Sequence, residues 1–149
     1  MLEQNNNYKR PESVLVVVHT ATHIMLIKRT DHNNFWQSVT GSLEWGENPE
    51  SAALRELQEE TNIQVNTLRA TGITRSYAIL EQWIERYPPG SQRNREHLFY
   101  CFLEHQPEVV LDPSEHSDVQ WLDFQQAQTK VFSWSNRLAI QSLSQRAVR

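Results

Sequence analysis

The chain contains 149 residues and carries a formal net charge of −4. That length predicts one domain with a sizeable core, and the negative charge argues against general binding to nucleic acid, which requires a basic face. The N-terminus lacks the basic start and apolar region of a signal peptide, and no apolar stretch is long enough to span a membrane. We therefore expect a soluble, cytoplasmic protein without a membrane partner.

Strands are the elements that the residue pattern predicts most often. Residues 1–8 are polar and rich in asparagine, and we expect a flexible arm there, ahead of a single domain over residues 9–149. Residues 14–18 form a continuous apolar run, typical of a strand covered on both faces, with residues 23–28 as its partner across a short turn. Further strands are expected at residues 63–65, 68–73, 76–80, 97–103 and 119–122.

The remaining segments complete an α+β pattern. Residues 35–39 lead into a loop and a helix. Residues 86–95 are expected to form a loop that is stiffened by prolines and carries three arginines. A second helix is expected from residue 136 to about residue 145. Cys101, the single cysteine, lies in an apolar run, so core packing is expected for it in preference to catalysis.

The helix near the middle of the chain carries the strongest chemical signal. Asn48 and Pro49 predict its N-cap and first residue. At about 100° per residue, Glu56 and Glu60 lie nearly in line one turn apart, and Glu59 lies about 60° to the other side of Glu56. These like charges repel one another, and Mg²⁺ or Mn²⁺ would relieve the repulsion and bridge to phosphate oxygens. A solvated acidic helix face is the alternative.

The spacing of Gly41, Glu47, Arg55-Glu56 and Glu59-Glu60 resembles the signature of the Nudix hydrolases. The chain departs from that signature at Asn62, where the family usually has Gly in a left-handed turn; Asn is the next best residue there. The resemblance implies an α/β/α sandwich with a mixed β-sheet between helices. It also implies metal-dependent hydrolysis of a polyphosphate.

The same resemblance implies roles for individual residues. The expected catalytic residues are Arg55, Glu56, Glu59 and Glu60, and the expected metal ligands are Glu56, Glu59, Glu60 and Glu115. Arg55 lies four residues before Glu59 and is better explained as an organiser of the carboxylates than as a substrate ligand. Glu47 would clamp the loop to the helix or reach a metal through water. His116 is expected to be structural, and which carboxylate acts as the base stays open.

Segments outside the signature, such as residues 35–42 and 133–137, resemble one group within the family, the bacterial enzymes that release pyrophosphate from dihydroneopterin triphosphate. This resemblance is weakest between residues 75 and 85. It implies substrate contacts at Lys9, Arg29, Thr40 and Ser133, and a pterin pocket lined by Tyr77, Ala78, Ile79 and Leu80. Solvated charges, an ordinary strand residue and a helix-capping hydroxyl are the alternative explanations for the first four.

Two other functions remain open at this stage. Pterins and purines present similar flat rings to a stacking pocket, so the substrate could instead be a (deoxy)nucleoside triphosphate of the nucleotide pool. A Nudix domain that binds a ligand without catalysis is less expected, because such domains usually lose carboxylates that this chain retains. In every case the expected partner is a small molecule.

Overall fold

The structure is a computed structural model that describes residues 7–147. Its elements in chain order are β1 (Glu12–His19), β2 (His23–Arg29), β3 (Trp36–Gln37), β4 (Val39–Ser42), α1 (Pro49–Thr61), β5 (Arg69–Ala78), a 3₁₀ helix (Glu81–Arg86), β6 (Arg93–Phe102), β7 (His116–Asp123), α2 (Phe124–Lys130) and α3 (Trp134–Ala147). No helix among the described residues is long and apolar enough to cross a membrane. Most of the predicted arm, residues 1–6, lies outside the described residues.

The seven strands form one mixed sheet with β1 at its centre. The strand order is β3-β2-β1-β6-β5, with β4 also paired to β1 and β7 paired to β2. β1 runs parallel to β6 along its whole length, whereas it meets β2 only at the pair His19–Ile24. The predicted short turn between β1 and β2 is present, but β2 pairs mainly with β7. The first half of β1 is thereby free to pair with β4, the strand that leads into α1.

Helices cover both faces of this sheet, which confirms the predicted α/β/α sandwich. Successive residues of a strand point to opposite faces. Val16 therefore packs in a first core with Leu57 of α1, whereas Leu15 and Val17 pack in a second core with Ile140 of α3. Cys101 is buried in the first core, as predicted.

Several predicted elements differ from the structure. The strand predicted at residues 63–65 is wrong: Ile63 is buried, but its N–H bonds the Thr61 hydroxyl instead of a neighbouring strand. The two strands predicted at 68–73 and 76–80 are one strand, β5, which ends at Ala78. Gly72 has a φ of +74° at the shift of register in β5, so β6 pairs with β5 on both sides of a bulge.

Two short helices were not predicted. α2 has only seven residues and depends on a cap, because the Asp123 side chain accepts a hydrogen bond from the N–H of Gln126 at 2.7 Å. The 3₁₀ helix occupies residues 81–86, and β6 begins at Arg93, so the predicted loop over residues 86–95 is reduced to residues 87–92. The C-terminal helix was predicted correctly, although it begins two residues earlier, at Trp134.

Candidate active site

Local interactions set both ends of α1 as predicted. Asn48 Oδ1 accepts a hydrogen bond from the N–H of Ser51 at 2.9 Å, and Pro49 is the first helical residue. Asn62 adopts the left-handed conformation with a φ of 62°. α1 lies against β4, where a Cβ at Gly41 would overlap the carboxylate of Glu56. Glycine at this position therefore leaves room for the Glu56 carboxylate against β4.

Arg55 connects the loop before α1 to the acidic side of the helix. Its guanidinium donates to both carboxylate oxygens of Glu47, at 2.8 and 2.9 Å. The same group donates to Glu56 at 2.8 Å, to Glu59 at 3.0 Å and to the carbonyl oxygen of Ser42 at 3.1 Å. The hydrogen bonds with Glu47 raise the pKa of Arg55 and lower the pKa of Glu47. This geometry is that of an organising residue, and it places Glu47 as a clamp between loop and helix.

The three carboxylates of α1 differ sharply in exposure. The Glu59 side chain is 53% exposed, Glu56 is 14% exposed and Glu60 is 6% exposed. Oε1 of Glu60 is buried without a hydrogen-bond partner. Desolvation, followed by the proximity of Glu56 and Glu115, raises the pKa of Glu60 well above its usual range. Glu60 is thus a buried carboxylate that lacks a compensating positive charge.

Two residues of the segment that enters β7 lie beside Glu60. Glu115 is exposed, and desolvation together with Asp112, Glu56 and Glu59 raises the pKa of its carboxyl. His116 is buried, with its Nε2 at 3.4 Å from the Gln37 amide nitrogen and 4.0 Å from Glu60. Burial lowers the pKa of His116, which favours the neutral ring. Glu115 is therefore close to the carboxylates of α1, and the buried His116 packs next to Glu60.

Two cationic side chains lie near these carboxylates. Partial desolvation and the nearby Arg86 and Arg29 lower the pKa of Lys9, while Glu56 and Glu115 act in the opposite direction. Arg29 forms a two-bond ion pair with Asp31. Its guanidinium also lies over two aromatic rings, 5.3 Å from the centroid of Phe35 and 4.9 Å from that of Trp83. Lys9 is thus close enough to interact with Glu56 and Glu115, and Arg29 with Glu115, while their contact with a substrate stays a prediction.

The other predicted substrate contacts lie in β4, at the end of β5 and just before α3. The Thr40 hydroxyl donates to the Val14 carbonyl at 2.8 Å, and the Ser133 hydroxyl accepts from the N–H of Asn136 at 3.1 Å. Both hydroxyls thus also have the structural partners that their alternative explanations require. Tyr77 is half-buried, with its hydroxyl 3.2 Å from Glu96. Of the three residues that follow Tyr77, Ala78 and Leu80 are exposed and Ile79 is half-buried.

A cavity of about 450 Å³ lies between the segment before β1 and the loop that follows β4. Lys9 is the one predicted substrate contact among its lining residues, and Trp45, also in the lining, donates from its indole nitrogen to the Tyr8 carbonyl at 2.9 Å. Sequence reasoning missed Asn94 and Glu96, two buried polar residues of β6. The available signal was the spacing of two residues between Asn94, Glu96, Leu98 and Tyr100, which places all four side chains on one face of the strand.

Comparison with known proteins identifies the family. The sequence model of the NUDIX domain matches residues 9–143. The chain belongs to the NUDIX domain family. It is 41% identical over 140 residues to the dihydroneopterin triphosphate diphosphatase of Escherichia coli K12, covering 90% of this chain and 92% of that protein. It is 34% identical over 139 residues to the Haemophilus influenzae protein of the same name, covering 89% and 87%.

Solved Nudix structures share the fold. The structure of the E. coli dihydroneopterin triphosphate pyrophosphohydrolase matches with a TM-score of 0.84 and 40% identity, covering 91% of this chain and 95% of that chain. A Nudix hydrolase from Listeria monocytogenes matches with a TM-score of 0.78 at 24% identity, covering 92% and 94%. The second likeness concerns the fold alone.

Nudix hydrolases generally need a divalent metal ion and bind small-molecule phosphate substrates. The donors here fit such an ion, since they are carboxylate oxygens and one of them, Glu60 Oε1, is buried without a partner. Among residues 7–147, no three His, Cys, Asp or Glu side chains converge as a closed coordination set. Glu56 and Glu59 both bond Arg55 instead. The identity of each metal ligand stays a prediction.

Proposed function

We propose that this protein is a metal-dependent pyrophosphohydrolase that converts dihydroneopterin triphosphate to dihydroneopterin monophosphate and pyrophosphate. The observation that carries the proposal is the 41% identity, over 90% of this chain, to an E. coli protein named for this substrate. The buried and partly buried carboxylates of α1 support it further, because a chain that only bound a ligand would have no need to keep the Oε1 atom of Glu60 buried without a partner.

We assign the metal, Mg²⁺ with Mn²⁺ as a possible substitute, to Glu56, Glu59, Glu60 and Glu115. The bound ion supplies charge neutralisation for phosphate oxygens and a lower pKa for a bound water. Arg55 keeps Glu56 and Glu59 oriented through its hydrogen bonds, and is a positioning residue in this scheme. The arrangement supports hydrolysis at a phosphorus atom that would otherwise repel an incoming nucleophile.

The remaining residues bind the substrate in this proposal. Lys9 and Arg29 neutralise triphosphate oxygens on the side facing the carboxylates, with the Arg29 guanidinium oriented by Asp31 and two aromatic rings. The Thr40 hydroxyl donates its hydrogen bond to the Val14 carbonyl oxygen, so it can only accept from the substrate. The pterin lies against the end of β5 and the start of α3, the segments that supply the other assigned contacts: Tyr77, Ala78, Ile79, Leu80 and Ser133.

A substrate panel tests this proposal. Dihydroneopterin triphosphate and the common ribo- and deoxyribonucleoside triphosphates are compared with Mg²⁺ present, and monophosphate, pyrophosphate and inorganic phosphate are measured separately. We expect kcat/KM for the pterin substrate to be roughly tenfold or more above any nucleotide, a gap of about 1.4 kcal/mol, because a site fitted to a short acyclic chain has no place for a ribose. Pyrophosphate should be released without stepwise formation of phosphate. Preference for a deoxynucleotide would leave the hydrolytic chemistry standing and refute the pterin assignment.

A further inference from the structure

A cluster of buried polar side chains extends the second core at the end nearest the start of β1. Strand register brings its members to one face of the sheet, because Asn94 lies opposite Tyr77 and Glu96 lies opposite Ser13. Asn94, Glu96 and Ser13 are 3%, 5% and 6% exposed. We call Ser13, Tyr77, Asn94 and Glu96 the polar cluster. Leu98 and Tyr100 continue the same face into the second core.

Glu96 is a buried carboxylate that forms no ion pair with any residue the structure describes. Its partners are hydroxyl groups: Tyr77 donates at 3.2 Å, and Ser135 also bonds the carboxyl. The Arg75 guanidinium donates to the Ser135 carbonyl, and its charge acts on the Glu96 carboxyl only from a distance, by lowering its pKa against the larger effect of burial. A carboxylate has about four acceptor sites, so two hydroxyls leave some of them open. Burying such a group without a directly bonded cation costs stability, which points to a role other than packing.

Asn94 adds a second unused acceptor beside Glu96. Its amide nitrogen donates to Ser13 Oγ at 2.7 Å and to the Tyr77 hydroxyl oxygen at 3.1 Å. Both amide protons are therefore used, whereas Oδ1 is buried without a partner. The polar cluster thus contains more acceptors than donors. A ligand that completes it must present hydrogen-bond donors, such as N–H groups.

The surroundings of the polar cluster suit a flat ring. The Trp134 side chain is 48% exposed at the start of α3, and its ring meets that of Tyr77 edge-on at 6.3 Å between centroids. Thr40 pairs with Leu15, so its side chain lies on the same face of the sheet as Ser13. The proposed substrate contacts therefore border the cluster, and Trp134 offers an apolar surface on which a heterocycle can stack.

We propose that Glu96 is the residue that selects the heterocycle, by accepting hydrogen bonds from the ring N–H and exocyclic amino group of a 2-amino-4-oxopyrimidine ring. That edge is shared by pterin and guanine and is absent from adenine. Tyr77 and Ser135 orient the carboxylate, and the Asn94 carbonyl lies beside it as a further acceptor. This inference rests on the proposed function, because it concerns the head group of the same substrate.

The first test compares the parent protein with Glu96→Gln, which keeps the shape of the side chain and replaces one acceptor by a donor. We expect kcat/KM to fall about tenfold or more for dihydroneopterin triphosphate and dGTP, mainly through KM, and to stay within about threefold for dATP. Tyr77→Phe should produce a smaller loss with the same order of substrates. Glu108→Gln, a change at an exposed glutamate, is the matched control and should leave all three values unchanged.

The second test measures binding of neopterin, which carries no phosphate, to the metal-free protein by the quenching of its fluorescence. The parent should bind it about tenfold or more tightly than Glu96→Gln does. Equal effects of Glu96→Gln on all three triphosphates, or no neopterin binding by the parent, would overturn the inference. If the parent prefers nucleotides but Glu96→Gln still weakens dGTP relative to dATP, the pterin assignment fails while the role of Glu96 stands.

Discussion

At the scale of single residues, Glu60 combines properties that fold stability alone does not favour. It is almost fully buried, one of its oxygens has no partner, and two other glutamates raise the pKa of its carboxyl. The adjacent Glu59, by contrast, is exposed and paired with Arg55. A buried carboxylate of this kind lowers the stability of the metal-free protein, and it is retained where a bound cation can compensate for it.

Asn62 allows a sharp test of backbone conformation at one residue. Its φ of 62° lies in the left-handed region that glycine and asparagine tolerate and β-branched residues avoid. We expect Asn62→Gly to keep kcat/KM within a few-fold, and Asn62→Val to lower the free energy of unfolding by about 1 kcal/mol or more. Denaturant unfolding and activity assays measure both effects. A large loss of activity in the glycine variant would show that the amide side chain has a role of its own.

At the scale of elements, β1 is tied to its neighbours by an ionised side chain at its first residue. Glu12 accepts hydrogen bonds from Arg10 and pairs with His97 of β6. Partial burial alone would raise the pKa of Glu12, but the hydrogen bonds from His97 and Arg10 outweigh it, and the net shift is downward. The carboxylate thereby links the N-terminal segment to the two parallel strands at the centre of the sheet.

This pairing predicts a pH-dependent contribution to stability. Because the pKa of Glu12 is lower in the folded state, its contribution is complete above the unfolded-state value, about 4.3, and is lost as the pH falls through the folded-state value. The difference in free energy of unfolding between the parent and Glu12→Gln should therefore shrink as the pH falls through the acid range. Denaturant titrations at several pH values test it, with Glu108→Gln as control. A difference independent of pH would contradict the assignment.

At the scale of the whole molecule, the two halves of the proposed site come from opposite faces of the sheet. Gly41 of β4 faces α1 and its carboxylates, whereas the preceding Thr40 faces the side of α3 and the polar cluster. One short strand therefore borders both the phosphate chemistry and the head-group contacts. β4 can lie there because β1 and β2 separate beyond the pair His19–Ile24.

Metal binding should appear in the stability of the whole fold. A ligand that binds only the native state raises the free energy of unfolding by about 2.7 kcal/mol at one hundred times its Kd. We expect Mg²⁺ to raise the Tm of the parent and to have little effect on the Tm of Glu60→Gln. Without metal, Glu60→Gln should be more stable than the parent, because its amide replaces a carboxyl whose ionisation is opposed by burial. Turnover of Glu60→Gln should fall by at least about a hundredfold. Equal Mg²⁺ shifts in both proteins would remove Glu60 from the ligand set.

The sequence by itself determined the features that depend on neighbouring residues. Asn48 and Pro49 begin α1 and Asn62 ends it, because capping and left-handed turns involve hydrogen bonds over three or four residues. The apolar run in β1 predicted a strand covered on both faces for a similar reason, since alternation and composition are local properties. The spacing of the signature carboxylates along one helix belongs to the same class.

Only the tertiary structure decided which of these residues are buried and which distant residues meet. Glu59 and Glu60 are adjacent in sequence, yet contacts with β4 and β7 bury one and leave the other exposed. The strand predicted at residues 63–65 failed because pairing requires a partner strand, which composition cannot supply. The polar cluster escaped prediction for the same reason: Ser13, Tyr77 and Glu96 come together through β1–β6 and β5–β6 pairing, whose register is set by the packing of the whole sheet.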